Sequence, residues 1–302
     1  MIALKNLTAK LDAFFNISAF DESKLLTPRP AGYDSMLARF AVPEFSTLWN
    51  GLMLNNAPEI DRVYLVVFPN QEALDQIIAR EVERGAPGGL IFSHHPADFS
   101  ESLPEPVYIT ETLLEDLREH RINLYHCHAP LDCHPEISTS GAIAEALKMK
   151  VLGRCAPYRG GMAGVYGKIP YNTFDECARK VAESMDLPTL RYVNIRHDGL
   201  PVHKAMVVAG GGGATLEYIQ EAIDLGCDTY ITGEWSYFGP GEWRAAQREA
   251  LRAFLAKAQI NLIAGSHYAS EMVVMRDQMR NWFKEQVPGI EVVLIGQKDP
   301  WR

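Results

Sequence analysis

From residue 63 to residue 295, short apolar runs alternate with segments whose apolar residues recur at helical spacing. This alternation restricts the fold more than any other feature of the chain. Val63-Tyr64-Leu65-Val66-Val67-Phe68 reads as a buried strand, and Glu72 to Arg84 as a helix with Ala73, Ile77, Ile78 and Val82 on one face. Leu90–Phe92, Ile122–Tyr125, Ala205–Ala209, Thr229–Ile231, Ile260–Ile263 and Val292–Ile295 read as further strands. Leu113–His120, Ser140–Met149, Leu216–Leu225 and Trp243–Ala258 read as helices. Strands separated by helices build βαβ units, so the expected fold class is α/β with mostly parallel sheet. The first 60 residues, broken by Pro28, Pro30 and Pro43, are less regular, and the glycine-rich stretch 154–167 reads as a turn region between two lobes.

A chain of 302 residues is long enough for two domains or one large α/β unit. Its 47% hydrophobic and 22% charged residues are ordinary for a globular protein and exclude wholesale disorder. With 29 basic against 38 acidic residues the formal charge is −9, which argues against a general nucleic-acid grip. No apolar run reaches the roughly 18 residues of a membrane span. The Met1–Lys5 start lacks the pattern of a secretory signal. Five cysteines, an odd number without a CxxC pair, read as reduced and mostly buried thiols. The expected location is the cytoplasm.

Ile122-Asn123-Leu124 recurs as Ile260-Asn261-Leu262, each after a helix and each shortly before a histidine, His128 or His267. His95 precedes His128 by 33 residues, and Glu234 precedes His267 by the same interval. The spacing suggests two similar α/β halves with polar residues at strand C-termini, and the two tripeptides should occupy equivalent places in them.

Three polar clusters follow predicted strands: Ser93-His94-His95-Pro96, His126–Asp132, and His267-Tyr268-Ala269-Ser270-Glu271. Strand C-termini of an open α/β sheet form the rim at which ligands bind. A single histidine on an apolar face is more often a packed core residue than a ligand. An HxxxE pair on a helix is commonly a solvated face. The three clusters together favour a metal site. Histidine with carboxylate suits borderline divalent ions such as Zn, Mn or Fe. His267 and Glu271 at i and i+4 share one helix face. Five or six ligands exceed the need of one tetrahedral ion and favour two ions, roughly 3.5–4 Å apart. Cys127 and Cys133 read as packing residues. Gly210–Gly213 reads as a tight strand-to-helix turn; as a phosphate cradle it lacks the Lys-Ser/Thr of a P-loop. No G-x-S-x-G nucleophile elbow is present.

Ser93-His94-His95-Pro96, His128-Ala129-Pro130-Leu131-Asp132, Thr232-Gly233-Glu234 and Gly265–Glu271 together resemble the signatures of the NIF-three-like family, also called dinuclear metal-centre hexameric proteins or GTP cyclohydrolase 1 type 2 homologues. Trp49-Asn50-Gly51-Leu52 is similar to a shortened form of the family's N-terminal segment. The resemblance runs from about residue 45 to the end. It implies two related α/β lobes with a metal pair in the cleft, and a single module over 1–302. Lobe 1 would span about 1–140 plus 265–302, and lobe 2 about 141–264. It implies His94, His95, Asp132, His267 and Glu271 as ligands of two divalent ions, with His128 and Glu234 beside them rather than among them. It also implies a homohexamer. This chain departs from the family at Trp235-Ser236-Tyr237-Phe238, where a histidine-containing stretch is usual, and at Ser266, which could shift the following helix by one residue.

The reading that follows is a metal-dependent hydrolase acting on a small-molecule substrate, nucleotides included, by purine ring-opening of the GTP cyclohydrolase type or by phosphoester hydrolysis. The alternative is a non-enzymatic metal-binding regulatory or scaffold protein acting through partners, for which Trp235, Tyr237, Phe238 and Trp243 would supply a surface.

Overall fold

In a computed structural model, which describes residues 1–85, 88–98, 105–194, 196, 200–234 and 241–298, the apolar runs become the strands of two sheets. The chain begins with β1 (Ile2–Ala3), α1 (Leu4–Phe15), α2 (Tyr33–Leu37), α3 (Pro43–Leu48), β2 (Gly51–Leu54), β3 (Glu59–Ile60) and β4 (Arg62–Val66). It continues through α4 (Gln71–Arg84), β5 (Gly89–Ser93), α5 (Glu111–Glu119), β6 (Asn123–His126), α6 (Ala129–Cys133) and α7 (Thr139–Ala146). Next come β7 (Lys150–Tyr158), β8 (Gly161–Lys168), α8 (Phe174–Ser184), β9 (Arg191–Asn194), β10 (Lys204–Val208) and α9 (Leu216–Asp224). The last elements are β11 (Thr229–Thr232), α10 (Glu242–Leu255), β12 (Asn261–Ala264), α11 (His267–Val273), α12 (Arg280–Gln286) and β13 (Glu291–Leu294).

The chain divides into two units, one of Met1–Phe99, Glu105–Leu131 and Met275–Gln297, the other chiefly Asp132–Val274. The first holds a five-stranded sheet in the order β13-β4-β5-β6-β2, parallel except for β2. Every residue of β4, β5 and β6 is buried, as expected of parallel strands covered on both faces. Tyr64, Val66, Ile91 and Leu124 of the sheet pack with Leu74 and Ile77 of α4 and Leu114 and Leu117 of α5. Each such side chain contributes about 1.5–3 kcal/mol by leaving water. Asn70 and Thr110 start those helices by accepting the backbone N–H groups of Ala73 and Leu113.

The second unit holds a six-stranded sheet in the order β7-β8-β10-β11-β12-β9. Its centre, β10-β11-β12, is parallel, and its flanks are antiparallel. Met206, Val208, Tyr230 and Leu262 form its core with Ile219 and Ala222 of α9.

The tripeptide repeat marks a real correspondence. Asn123 opens β6 and Asn261 opens β12, each the last of three parallel strands that follow one another along the chain, and each strand is flanked by an antiparallel partner, β2 or β9. The two asparagines do the same work. Asn123 Oδ1 accepts the N–H groups of Asn56 and Ala57 just beyond β2, and Asn261 Oδ1 accepts that of Arg196 just beyond β9. The equal intervals of 33 residues are misleading, however. The strand register pairs Ser93 with His126 in one sheet and Thr232 with Ala264 in the other. His95 therefore corresponds to Glu234, but His128 corresponds to Ser266 and not to His267.

Two expectations change. The stretch 154–167 is not a turn region. It lies within the long β7–β8 hairpin and turns only at Arg159-Gly160, while glycines within the strands stand where neighbours come close: a Cβ at Gly167 would lie 2.3 Å from the Lys150 carbonyl oxygen. Glycine in a strand often marks close approach. The first 60 residues are also more ordered than their prolines suggest, with α1, α2 and α3 packed by Leu4, Leu11, Phe15, Leu37 and Phe45. Of the aromatic residues offered as a surface, Trp235, Tyr237 and Phe238 lie outside the described residues, and Trp243 is 58% exposed. Among the described residues no helix is long and apolar enough to cross a membrane.

None of the five cysteines forms a disulfide, and all but Cys133 are buried. Burial pushes the thiols of Cys177 and Cys227 up to about 12. In the unfolded chain they ionise near the ordinary value of about 8.5. Between those pH values the folded state binds more protons, so stability falls as pH rises from about 8.5 toward about 12. At pH 8 a thiol reagent should label Cys133 first and all five cysteines only after denaturation. Rapid labelling of Cys177 or Cys227 in the native protein would contradict this packing.

Candidate metal centre

Three of the polar residues singled out from the sequence gather at the C-terminal edge of the first unit's sheet. β5 ends at Ser93, and the chain continues in register, with the N–H groups of His94 and His95 donating to the carbonyls of Val66 and Val67. The Ser93 hydroxyl donates to the His95 carbonyl at 2.7 Å and holds the bend. Both imidazoles are buried, their ring centroids 4.3 Å apart and their planes at 63°. Adjacent residues on a strand would point apart; the bend after β5 brings them together. His94 Nδ1 lies 2.9 Å from the Cys127 carbonyl oxygen. A carbonyl only accepts, so Nδ1 carries the proton and Nε2 carries the lone pair. His95 stacks on Phe68 at 4.6 Å.

His128, between β6 and α6, completes the cluster. His94, His95 and His128 each present a ring nitrogen within 4.8 Å of the others. Glu22, from the segment after α1, and Asn50 reach this histidine. Glu22 Oε1 lies 2.8 Å from His128 Nδ1, and Asn50 Oδ1 accepts the His128 N–H at 3.0 Å. Burial pushes the Glu22 carboxyl up. The His128 imidazole and hydrogen bonds from His128, Asn50 and Ala129 outweigh it and hold the group well below the usual carboxylate range. Asn50 belonged to a motif noticed in the sequence. Nothing in the sequence pointed to Glu22, which is 28 residues distant from it and follows no strand. His126 stands outside the cluster. Neither of its ring nitrogens has a hydrogen-bond partner, and it packs against Phe45, with burial pushing its pKa well down.

In the second unit β12 leads into α11. Ser266 caps this helix, its hydroxyl accepting the Ala269 N–H at 2.9 Å, so His267 is the first helical residue. The serine that could have shifted the register sets it instead. One turn on, Glu271 Oε1 lies 3.2 Å from His267 Nε2, and Glu234 Oε2, two residues past β11, lies 3.3 Å from His267 Nδ1. Burial alone would lower the His267 pKa, but the two carboxylates raise it well above the ordinary histidine value. Asp132, in α6, accepts from the Thr139 hydroxyl at 2.7 Å and presents a carboxylate oxygen within 4.8 Å of one from Glu271.

The glycine run serves this cluster rather than a phosphate. Residues Gly210–Ala214 form a 3₁₀ turn directly after β10. The Gly210 N–H donates to Ser270 Oγ at 3.0 Å, and its carbonyl accepts the Glu234 N–H at 2.7 Å. A Cβ at Gly210 would lie 2.3 Å from Glu271 Oε1 and 3.1 Å from His267 Nε2. Cys127 is buried, and Cys133 Sγ faces the Tyr158 carbonyl at 3.5 Å, in keeping with packing roles.

Gly210 also has a φ of +60°, so an alanine there meets both backbone strain and a collision. Gly210→Ala should lower stability by roughly 2–4 kcal/mol, read as a fall in Tm. An unchanged Tm would refute the close packing of this turn on Glu271.

The sequence profile of the Duf34/NIF3 (NGG1p interacting factor 3) family matches residues 35–300. A Yersinia pestis protein named GTP cyclohydrolase 1 type 2 homolog is 28% identical over 258 residues, covering 83% of this chain and 90% of that protein. A Pyrococcus horikoshii protein of the same name is 28% identical over 293 residues, covering 94% of each. The fold is shared with a solved structure described as protein ybgI, of unknown function, at a TM-score of 0.68, 20% identity and coverage of 99% and 100%. It is shared also with a Bacillus cereus protein related to NIF3, at a TM-score of 0.65, 15% identity and coverage of 99% and 98%. With the family profile matched over all but the N-terminal segment, the chain belongs to the Duf34/NIF3 family.

Proposed function

We propose that the protein is a dinuclear divalent-metal hydrolase in which His94, His95, Asp132, His267 and Glu271 hold two ions. Its chemistry would be purine ring-opening of the GTP cyclohydrolase type or phosphoester hydrolysis. One observation carries the reading: imidazoles and carboxylates, buried except for the half-buried Asp132, collect just past the parallel strands of each unit, held there by hydrogen bonds. Buried polar side chains cost free energy unless they are paired or coordinated. The name borne by the relatives supports the reaction class.

The donor set fits borderline divalent ions such as Zn, Mn or Fe. The Cys127 carbonyl takes the Nδ1 proton of His94 in a hydrogen bond and leaves the lone pair on Nε2, the arrangement common to metal-binding histidines. Glu271 has two oxygens and can serve both ions, whereas each imidazole serves one. Asp132 and Glu271 offset only part of the charge of two dications, so the centre would retain hydroxide or an anionic substrate. Bound ions would lower the pKa of a coordinated water and polarise the scissile group. Asp132, oriented by Thr139, and His267, flanked by Glu234, would keep that charge in place. By the same resemblance the protein assembles as a homo-oligomer, with a hexamer as the expected form.

Metal analysis of purified protein should find about two ions per chain. Glu271→Ala should lose most of the metal from both positions while keeping the native circular dichroism. Retention of both ions by that variant would refute the bridging carboxylate. Incubation of the loaded protein with GTP should change the purine absorbance, and a phosphoester panel provides the second arm. Inactivity in both would remove the hydrolase assignment while leaving the metal centre. Light scattering at micromolar concentration should show an oligomer, and a monomer alone would count against the hexamer.

A further inference from the structure

Glu22 lies outside the residues matched by the family profile and outside the ligands assigned above. It is nonetheless completely buried, and its carboxylate contacts the His128–Ala129 turn and the Asn50 side chain that holds that turn. We propose that Glu22 is a positioning residue of the metal centre: its carboxylate holds His128 as the Nδ1-protonated tautomer, which makes Nε2 a third imidazole donor beside His94 and His95. This rests on the dinuclear reading and extends it by one ligand and one supporting group.

The argument is one of donors and acceptors. Glu22 Oε2 accepts the Asn50 side-chain N–H at 3.0 Å and the Ala129 backbone N–H at 2.9 Å. Oε1 faces His128 Nδ1 at 2.8 Å. Two N–H donors on Oε2 hold the group as an accepting carboxylate, and the proton in its contact with His128 is therefore assigned to Nδ1. Nε2 then keeps its lone pair, as in the carboxylate–histidine–metal arrangement. The backbone is fixed by the same group of residues, because Asn50 Oδ1 accepts the His128 N–H at 3.0 Å. Ring and main chain are both clamped. The His128 ring sits 5.1 Å from that of His94 and 4.8 Å from that of His95, centroid to centroid.

The segment that carries Glu22 is itself anchored. The Glu22 N–H donates to the Leu48 carbonyl at 2.9 Å, and the Arg29 guanidinium lies 3.6 Å over the Trp49 ring. A purely structural carboxylate would serve to tie this segment down, so the test must read something that tying down does not change.

Two measurements do so. In metal-free protein labelled with ¹⁵N-histidine, the His128 signals, assigned by their loss in His128→Gln, should show a pyrrole-type Nδ1 and an imine-type Nε2. Glu22→Gln presents an amide N–H to this ring and should shift the proton to Nε2. By competition titration with zinc, Glu22→Gln should bind about 10–100-fold more weakly than the parent protein, and Glu22→Asp should recover part of the loss. His94→Ala serves as the reference for a lost ligand. An Nε2-protonated His128 in the parent protein overturns the proposal. So does equal zinc affinity of Glu22→Gln and parent while His94→Ala binds weakly, a result that leaves the dinuclear reading standing. If the parent itself takes up no zinc, the dinuclear reading fails and the donor role of His128 fails with it, whatever the tautomer. If Glu22→Gln does not fold, the parent tautomer and the zinc affinity of His128→Gln decide, and an unweakened His128→Gln overturns the proposal.

Discussion

Parallel pairing of three consecutive strands is the constraint on which the rest of each unit depends. In β4-β5-β6 every position is buried, and in β10-β11-β12 nearly every one is, so an ionised group there needs a partner, as Arg62 at the start of β4 has in Asp61 and Glu81. Charged side chains are otherwise confined to the ends of these strands. Parallel direction puts those ends on one edge of the sheet, and there the histidines and carboxylates stand: His94 and His95 after β5, His128 after β6, Glu234 after β11, and His267 after β12. The polar rim is a consequence of sheet direction combined with the cost of burying charge.

Close approach of backbone to functional side chain is the second theme. In the second unit, Gly210 and Gly233 allow the turn after β10 and the end of β11 to press on α11. A Cβ at Gly233 would lie 2.3 Å from Ser270 Oγ. Ser270 in turn accepts the Gly210 N–H. Glycine costs conformational entropy in such places, and the return is a Glu271 carboxylate packed directly against main chain. Ser266 adds the N-cap that makes His267 the first residue of the helix, with Glu271 one turn away.

Charge is handled differently in the two units. In the first, Glu22 is fully buried and satisfied by three N–H donors, and the imidazoles around it are aimed by acceptors, a carbonyl for His94 and this carboxylate for His128. In the second, two carboxylates flank His267 and favour its charged form. The two units share the strand orders β4-β5-β6-β2 and β10-β11-β12-β9 and the opening asparagines, while the side chains at their rims differ, histidine at 95 against glutamate at 234, and histidine at 128 against serine at 266.

The α/β class, the positions of most strands and helices, and the polar clusters at strand ends were legible in the sequence, because hydrophobic period and the exclusion of charge from buried strands are local rules. His94, His95, Asp132, His267 and Glu271 could be singled out for the same reason. The hairpin over 150–168 was not legible. Its glycines answer to atoms across the sheet, such as the Lys150 carbonyl beside Gly167, and not to chain neighbours. Nor was the 33-residue coincidence, which only the pairing of Ser93 with His126 and Thr232 with Ala264 exposes. Glu22 is the clearest case. A lone glutamate in a proline-broken segment carries no periodic or motif signal, and its meaning arises only when folding sets it 2.8 Å from a histidine 106 residues away. Local composition decided which residues can form strands and where polarity must begin, and long-range packing decided which of those polar groups meet and which nitrogen of each histidine holds the proton.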